Sequence, residues 1–275
     1  MAERADATRD AHFLGPVPDL YQRLLVPMIF QGAADSLARS VAGLAPATIL
    51  ETAAGTGALT RAMVRHCPGS VITATDLHQP MLDAAAAIGA DGGSVTWQQS
   101  DALDLPFGDR TFDVVACQFG VMFFPDRVRA FREAARVLKP GGSFVFNTWD
   151  RIERNEVVHV IQSALVAAAP HDPLVFMSRT PHGYFSPAQI LGDLEAAGMP
   201  GATIHAVDAT GRTTASEAAA AFCGGTPLRA AIEAHDSLSL DEARAIAEAA
   251  LVAHFGAGPI DGPIRSFEVV ARPPT

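Results

Sequence analysis

Only three cysteines occur in the 275 residues: Cys67, Cys117 and Cys223. They are odd in number, far apart and form no C-x-x-C pair, so neither a disulfide framework nor a thiolate zinc site is expected. Buried free thiols in a reducing compartment are the simpler reading. Lysine is almost missing, with Lys139 the sole example, and the arginines are scattered. Twenty basic against thirty acidic residues leave a net charge of −10. That balance argues against a nucleic-acid partner, because phosphate binding needs a basic face. No stretch approaches the ~20 uninterrupted apolar residues of a membrane span, and the mean hydropathy of +0.19 owes its sign to alanine. Met1 to Asp10 carries charges of both signs and no apolar centre, unlike a secretory signal. Repeats and low-complexity linkers are also missing. The expectation is a soluble, cytoplasmic protein.

What remains is ample material for a core. Hydrophobic residues make up 49% and charged residues 18%, which is too apolar for global disorder. The length suits one generous domain. Short apolar runs alternate with helical periodicity between Thr48 and Thr148, the pattern of an α/β protein with a parallel sheet. Strands are expected at 48–51, 71–75, 95–98, 112–117 and 143–148, with two late ones at 202–207 and 264–271. Val128, Phe131, Ala135 and Leu138 share one helical face, and Pro140-Gly141-Gly142 supplies the stop signal. Before these strands, Tyr21-Leu24-Leu25-Met28 and Leu37-Val41-Leu44 suggest a helix pair interrupted near Pro27 and Gly32. A helix is expected over 187–197. Three more at 216–223, 228–235 and 240–254 read as an insertion before the last strand. The predicted architecture is a single Rossmann-like, doubly wound, mostly parallel seven-stranded sheet with an N-terminal helical lid. Its parts would be the lid at 1–45, a core at 46–150, and helices with the last strands at 151–275.

The first expected strand runs into Glu51-Thr52-Ala53-Ala54-Gly55-Thr56-Gly57 and then a helix. Small residues allow close backbone approach to a ligand, and the helix start presents N–H groups to it. Alone, such a loop is often purely structural. Asp76, however, ends the second strand about 20 residues beyond the last glycine, where a carboxylate holds a ribose diol in nucleoside-binding folds. It would serve equally as an N-cap. Asp101 follows the third strand, and Gln118 and Phe119 follow the fourth. In open α/β sheets, ligands bind at such carboxyl ends.

In sequence order, five segments resemble the motifs of class I S-adenosylmethionine-dependent methyltransferases, nearest in pattern to the ubiquinone/menaquinone-biosynthesis type acting on small molecules. They are Glu51 to Gly57; Thr75-Asp76-Leu77 with Met81-Leu82; Ser100-Asp101-Ala102 with Leu105-Pro106-Phe107; Phe112-Asp113-Val114-Val115; and Glu133 to Gly142. Ala53 departs from the family pattern, which has glycine there; it departs equally from a dinucleotide fingerprint.

The resemblance implies S-adenosyl-L-methionine as cofactor. Ala53, Gly55 and Gly57 would line its methionine and ribose part, and Glu51 would steady the loop or a water near the amino group. Asp76 would accept both ribose hydroxyls, Leu77 and Met81 would pack on adenine, and Asp101 would accept from the adenine amino group beside Ala102 N–H. Gln118 and Phe119 would border the sulfonium, with Tyr21 reaching in from the lid; Met81, Phe119 and Tyr21 are also readable as ordinary packing. The acceptor would be a small aromatic or quinone-like molecule, methylated on O or C more than N, since the asparagine-proline motif of many N-methyltransferases does not follow the fourth strand.

Candidate bases are few. His182, in a loop after the fifth strand, is one; a solvent-facing loop histidine is its plainer reading. His171-Asp172 reads as a turn. Phe119, Phe123, Phe124, Trp149 and Phe185 suggest an apolar pocket. No Asp/Asn cluster has metal-ligand spacing, and a homodimer is compatible with the sequence. Two rival readings are a nicotinamide-dependent oxidoreductase on the same kind of sheet and a non-catalytic methyltransferase-like binding module.

Overall fold

Each expected apolar run becomes a strand in the computed structural model, which describes residues 17–274. The strands are β1 (Thr48–Glu51), β2 (Val71–Asp76), β3 (Ser94–Gln99), β4 (Phe112–Gln118), β5 (Leu138–Trp149), β6 (Thr203–Thr213) and β7 (Ile260–Ala271). They form one sheet in the order β3-β2-β1-β4-β5-β7-β6. All neighbours are parallel except β7, which runs antiparallel to both β5 and β6. Val114, Val115, Ala116 and Cys117 are consecutive in β4 and essentially unexposed. Alternate strand side chains point to opposite faces, so the sheet is covered on both sides. The strand order reverses between β1 and β4, and their carboxyl ends open the crevice in which ligands of such sheets bind.

A side-chain clip fixes the far end of β1. Asp113 accepts from Thr48 N (2.8 Å), Thr48 Oγ1 (2.8 Å), Ala47 N (3.1 Å) and Lys139 Nζ (2.9 Å). Burial pushes its carboxyl up, but the bonds from Lys139 and Thr48 win and hold it at about 2.

The helices are α1 (Val17–Leu20), α2 (Gln31–Ala42), α3 (Ala58–His66), α4 (Gln79–Ile88), α5 (Arg127–Val137), α6 (Glu156–Ala168), α7 (Phe176–Arg179), α8 (Pro187–Ala196), α9 (Ala215–Gly224), α10 (Leu228–Glu233) and α11 (Leu240–Phe255). The last three form the expected insertion before β7. Capping boxes, Thr214 with Glu217 and Ser239 with Glu242, start α9 and α11.

Three expectations need correction, and one helix had no expectation. The N-terminal helix is not broken: a π-helical segment, Tyr21–Phe30, joins α1 to α2 and carries Pro27 inside it. The looser i to i+5 winding absorbs the proline, and Gly32 has open space around it rather than a bend to make. Residues 1–16 of the expected lid, with Met1 to Asp10, lie outside the described residues. Strand β5 begins at Leu138, through the expected turn, with a register shift against β4 between Phe112 and Val114. β6 and β7 extend to a long hairpin in which Gly211 pairs with Gly262. These glycines are close-approach positions, since a Cβ on Gly211 would meet Met28 O at 2.8 Å and one on Gly262 would meet Val157 Cγ2 at 2.5 Å. Lastly, α6 was not singled out by the sequence pattern.

Candidate functional site

The loop after β1 sets the geometry. Ala53 (φ 53°), Gly55 (φ 57°) and Gly57 (φ 81°) all take left-handed backbone. For Ala53 this costs roughly 1–2 kcal/mol. Its methyl, where the family pattern has glycine, is accommodated opposite Gly120: a Cβ on Gly120 would lie 2.5 Å from Ala53 Cβ. No sequence signal marked Gly120. The loop is tied to the sheet by Thr52 N to Ala116 O and Ala54 N to Thr75 O, both 2.9 Å.

The tips of β1 to β5 and the π-helical segment enclose one cavity. Ala53 and Gly55 line it from the first loop, Asp76, Leu77, His78 and Met81 from the second, and Asp101 and Ala102 from the third. Gln118, Phe119 and Gly120 enter from β4, and Tyr21 and Phe30 from the N-terminal helix. Glu51 and Gly57 are not part of the lining. Glu51 lies buried beneath the loop and accepts from the Thr60 hydroxyl. Burial pushes its carboxyl up to about 8, with the nearby Asp76 charge adding to the effect against Thr60 and Arg61. Gly57 is a packing position, since a Cβ there would meet Trp97 Cη2 at 2.7 Å.

Asp76 is nearly buried yet faces the cavity. Its Oδ2 accepts from Gly55 N and its Oδ1 from His78 N, each at 2.8 Å. A carboxylate oxygen has two acceptor sites; Oδ2 has only the Gly55 contact, while Oδ1 also has the His78 Nδ1 at 3.5 Å beside it. The Asp76 charge, after burial, also raises the Tyr21 hydroxyl. Asp101 is exposed at the rim and accepts from Leu103 N at 2.9 Å. Leu77, half exposed, and buried Met81 border the same end. The Gln118 amide donates to Phe30 O at 2.8 Å, tying β4 to the helix.

The opposite end is aromatic. Phe119 (φ 49°) stacks on Trp149 with centroids 3.7 Å apart and planes at 7°. Phe30 lies 5.6 Å from Phe119, 5.9 Å from Trp149 and 4.8 Å from Tyr21. Phe123 and Phe124 line the cavity; Phe185 is exposed and does not. His182 corrects the solvent-facing reading: it is 5% exposed and lines the cavity 5.8 Å from the Trp149 ring. His171 and Asp172 do not line it. No lysine or arginine does either, among the described residues. Cys117, beneath the site, is pushed up to about 12 by burial and is no thiolate. No group of three His, Cys, Asp or Glu suited to a metal occurs among the described residues.

Residues 50–146 match the family model described as methyltransferase domain. The chain is 34% identical over 133 residues to demethylmenaquinone methyltransferase of Deinococcus radiodurans, covering 48% of this chain and 55% of that one. With the Thermus thermophilus protein of the same name it shares 41% over 102 residues, covering 37% and 46%. The chain thus spans about half the length of these curated relatives. Among solved structures it resembles Haemonchus contortus phosphoethanolamine N-methyltransferase 2 in complex with phosphomonomethylethanolamine and S-adenosylhomocysteine: TM-score 0.61, 14% identity, covering 98% of this chain and 60% of that one. That likeness is one of fold.

The donor set suits an adenosyl group. Two carboxylates, hydrogen-bond acceptors, line one cavity, and the left-handed backbone at Gly55 leaves a cradle that a side chain would fill beside Met81 Cε.

Proposed function

We propose that this chain, whose residues 50–146 match the methyltransferase-domain model, is a class I S-adenosylmethionine-dependent methyltransferase that transfers a methyl group to O or C of a small, neutral aromatic or quinone-like acceptor. The observation that carries the reading is the cavity lined both by Asp76 and Asp101, from the tips of β2 and β3, and by the stacked Phe119 and Trp149, from the tips of β4 and β5. Asp76 accepts from the ribose hydroxyls, Asp101 from the adenine amino group, and Leu77 and Met81 hold the adenine ring. Ala53 and Gly55 bring backbone to the methionine part, and Gln118 and Phe119 border the sulfonium. The cofactor, when bound, supplies an electrophilic methyl. The chain's task is to hold the acceptor in line with it and to exclude water, and orientation of this kind lowers a barrier by several kcal/mol, up to ~7–11.

The acceptor end narrows the substrate class. A phosphorylated or carboxylated acceptor calls for a cation, and no lysine or arginine lines the cavity among the described residues. Phe119, Trp149 and Phe30 favour a flat apolar ring. The relatives' names speak of quinone precursors, which share that chemistry. A nicotinamide oxidoreductase is the second reading, since both cofactors carry an adenosyl end.

Thermal unfolding separates them. S-adenosylhomocysteine should raise Tm and NADH should not; ten- to hundredfold excess over Kd corresponds to ~1.4–2.7 kcal/mol. A shift with NADH alone would overturn the proposal.

A further inference from the structure

Among the described residues of the cavity wall, His182 presents an imidazole lone pair. His182 Nδ1 lies 2.8 Å from the backbone oxygen of Asp150. A carbonyl oxygen only accepts, so Nδ1 carries the proton and Nε2 is left with its lone pair. Nε2 has no hydrogen-bond partner among the described residues, and it is not among the solvent-sealed orphan atoms. Its ring is otherwise buried and lines the cavity. The lone pair therefore opens to the cavity, beside Trp149.

The loop carrying His182 is rigidly held. His182 N donates to Met177 O at 2.9 Å. Thr148 Oγ1 donates to Tyr184 O at 3.0 Å, and Tyr184 Oη donates to Asp193 at 2.8 Å. The Arg127 guanidinium stacks 4.3 Å above the Tyr184 ring. Gly183 admits no side chain, since a Cβ would fall 2.0 Å from Arg179 O. Such support orients a reacting group.

We propose that His182 is a catalytic residue whose Nε2 accepts a hydrogen bond from a hydroxyl on the aromatic acceptor and takes that proton as the methyl group arrives, so that the acceptor is a neutral phenol or hydroquinone methylated on oxygen. The proposal rests on the methyl-transfer reading above. The acceptor oxygen uses a lone pair to form the O–CH3 bond while the S–CH3 bond breaks, its electron pair staying on sulfur as the neutral thioether. The hydroxyl proton passes to Nε2, and the imidazolium then loses it to water. Burial lowers the His182 pKa to about 4 despite the Asp150 carbonyl bond and the charges of Glu153 and Asp150. A weak base suffices here, because the proton becomes strongly acidic once its oxygen carries the methyl.

The test uses the full chain loaded with S-adenosylhomocysteine and compares 1-naphthol with 1-methoxynaphthalene by calorimetry. The naphthol should bind ~3–10-fold tighter, the size of one hydrogen bond. His182→Asn keeps an amide able to donate to Asp150 O but removes the base. It should erase that preference, leave S-adenosylhomocysteine affinity and Tm unchanged, and lower kcat for methylation of 1-naphthol ~100-fold or more. With pentafluorophenol, already ionised at neutral pH, the loss should shrink to a few fold. The pH profile of the unmodified protein should stay level through the range where an ordinary histidine titrates, near 6.5. Equal binding of naphthol and its ether, no methylation of 1-naphthol, or an undiminished His182→Asn variant would each overturn the proposal. Should the variant not fold, the naphthol-to-ether ratio on the unmodified protein still decides. Failure of the unmodified protein to bind S-adenosylhomocysteine would instead refute the methyl-transfer reading beneath it.

Discussion

On the proposed binding mode, replacing Asp76 perturbs the cofactor end most directly. Its two carboxylate oxygens each hold one backbone N–H, from Gly55 and His78, with His78 Nδ1 also 3.5 Å from Oδ1, and the side chain lines the cavity. In Asp76→Ala both ribose contacts vanish, and the Gly55 N–H loses its partner as well. A hydrogen bond to a charged group is worth about 1.5–3 kcal/mol. Two of them at the lower figure make ~3 kcal/mol, or about two decades in Kd. Asp76→Asn keeps one acceptor oxygen, so about one decade is expected. Isothermal titration calorimetry with S-adenosylhomocysteine reads both. Because the Gly55 contact also supports the fold, Tm is measured alongside, and the asparagine variant should hold it within a few degrees. If Asp76→Ala binds within threefold of the unmodified protein, the ribose assignment is wrong, whatever happens to Tm.

Gly55→Val should abolish measurable binding, because the position has left-handed backbone and its Cβ would already touch Met81 Cε at 3.6 Å before the two methyls are added; wild-type affinity would place the ligand elsewhere. Glu51→Gln tests the buried carboxyl. Its folded pKa, about 8, lies above its ordinary 4.5, so the folded state keeps a proton that the unfolded state has lost, and stability falls as pH rises from one value through the other. The glutamine variant lacks that loss. Its Tm should gain on the parent's by several degrees between about pH 5 and about pH 9, and a constant Tm difference would refute the burial argument.

The sheet was legible because a strand covered on both faces writes itself as a continuous apolar run: Ile49-Leu50 and Val114 to Cys117 have no polar partner to alternate with. The ends of strands were less so. Gly211, Gly262 and Pro263 lay outside the expected strands at 202–207 and 264–271, yet they extend β6 and β7, where the backbone passes close to Met28 and Val157. Pro27 read as a helix break for want of any local sign that π winding would absorb it. At the site, Asp76 and Asp101 stand at strand ends, where spacing finds them. Gly120 and the burial of His182 depend on what packs opposite from β1 and β5, which spacing along the chain does not encode.

A crystal of the full chain grown with S-adenosylhomocysteine tests the central claim at its source. The account predicts density in the cavity with ribose hydroxyls within hydrogen-bond distance of Asp76, the adenine amino group at Asp101, and sulfur turned toward Trp149 and His182. Ligand density away from these carboxylates, or an adenosyl group running the opposite way with its sulfur at Asp101, would contradict it.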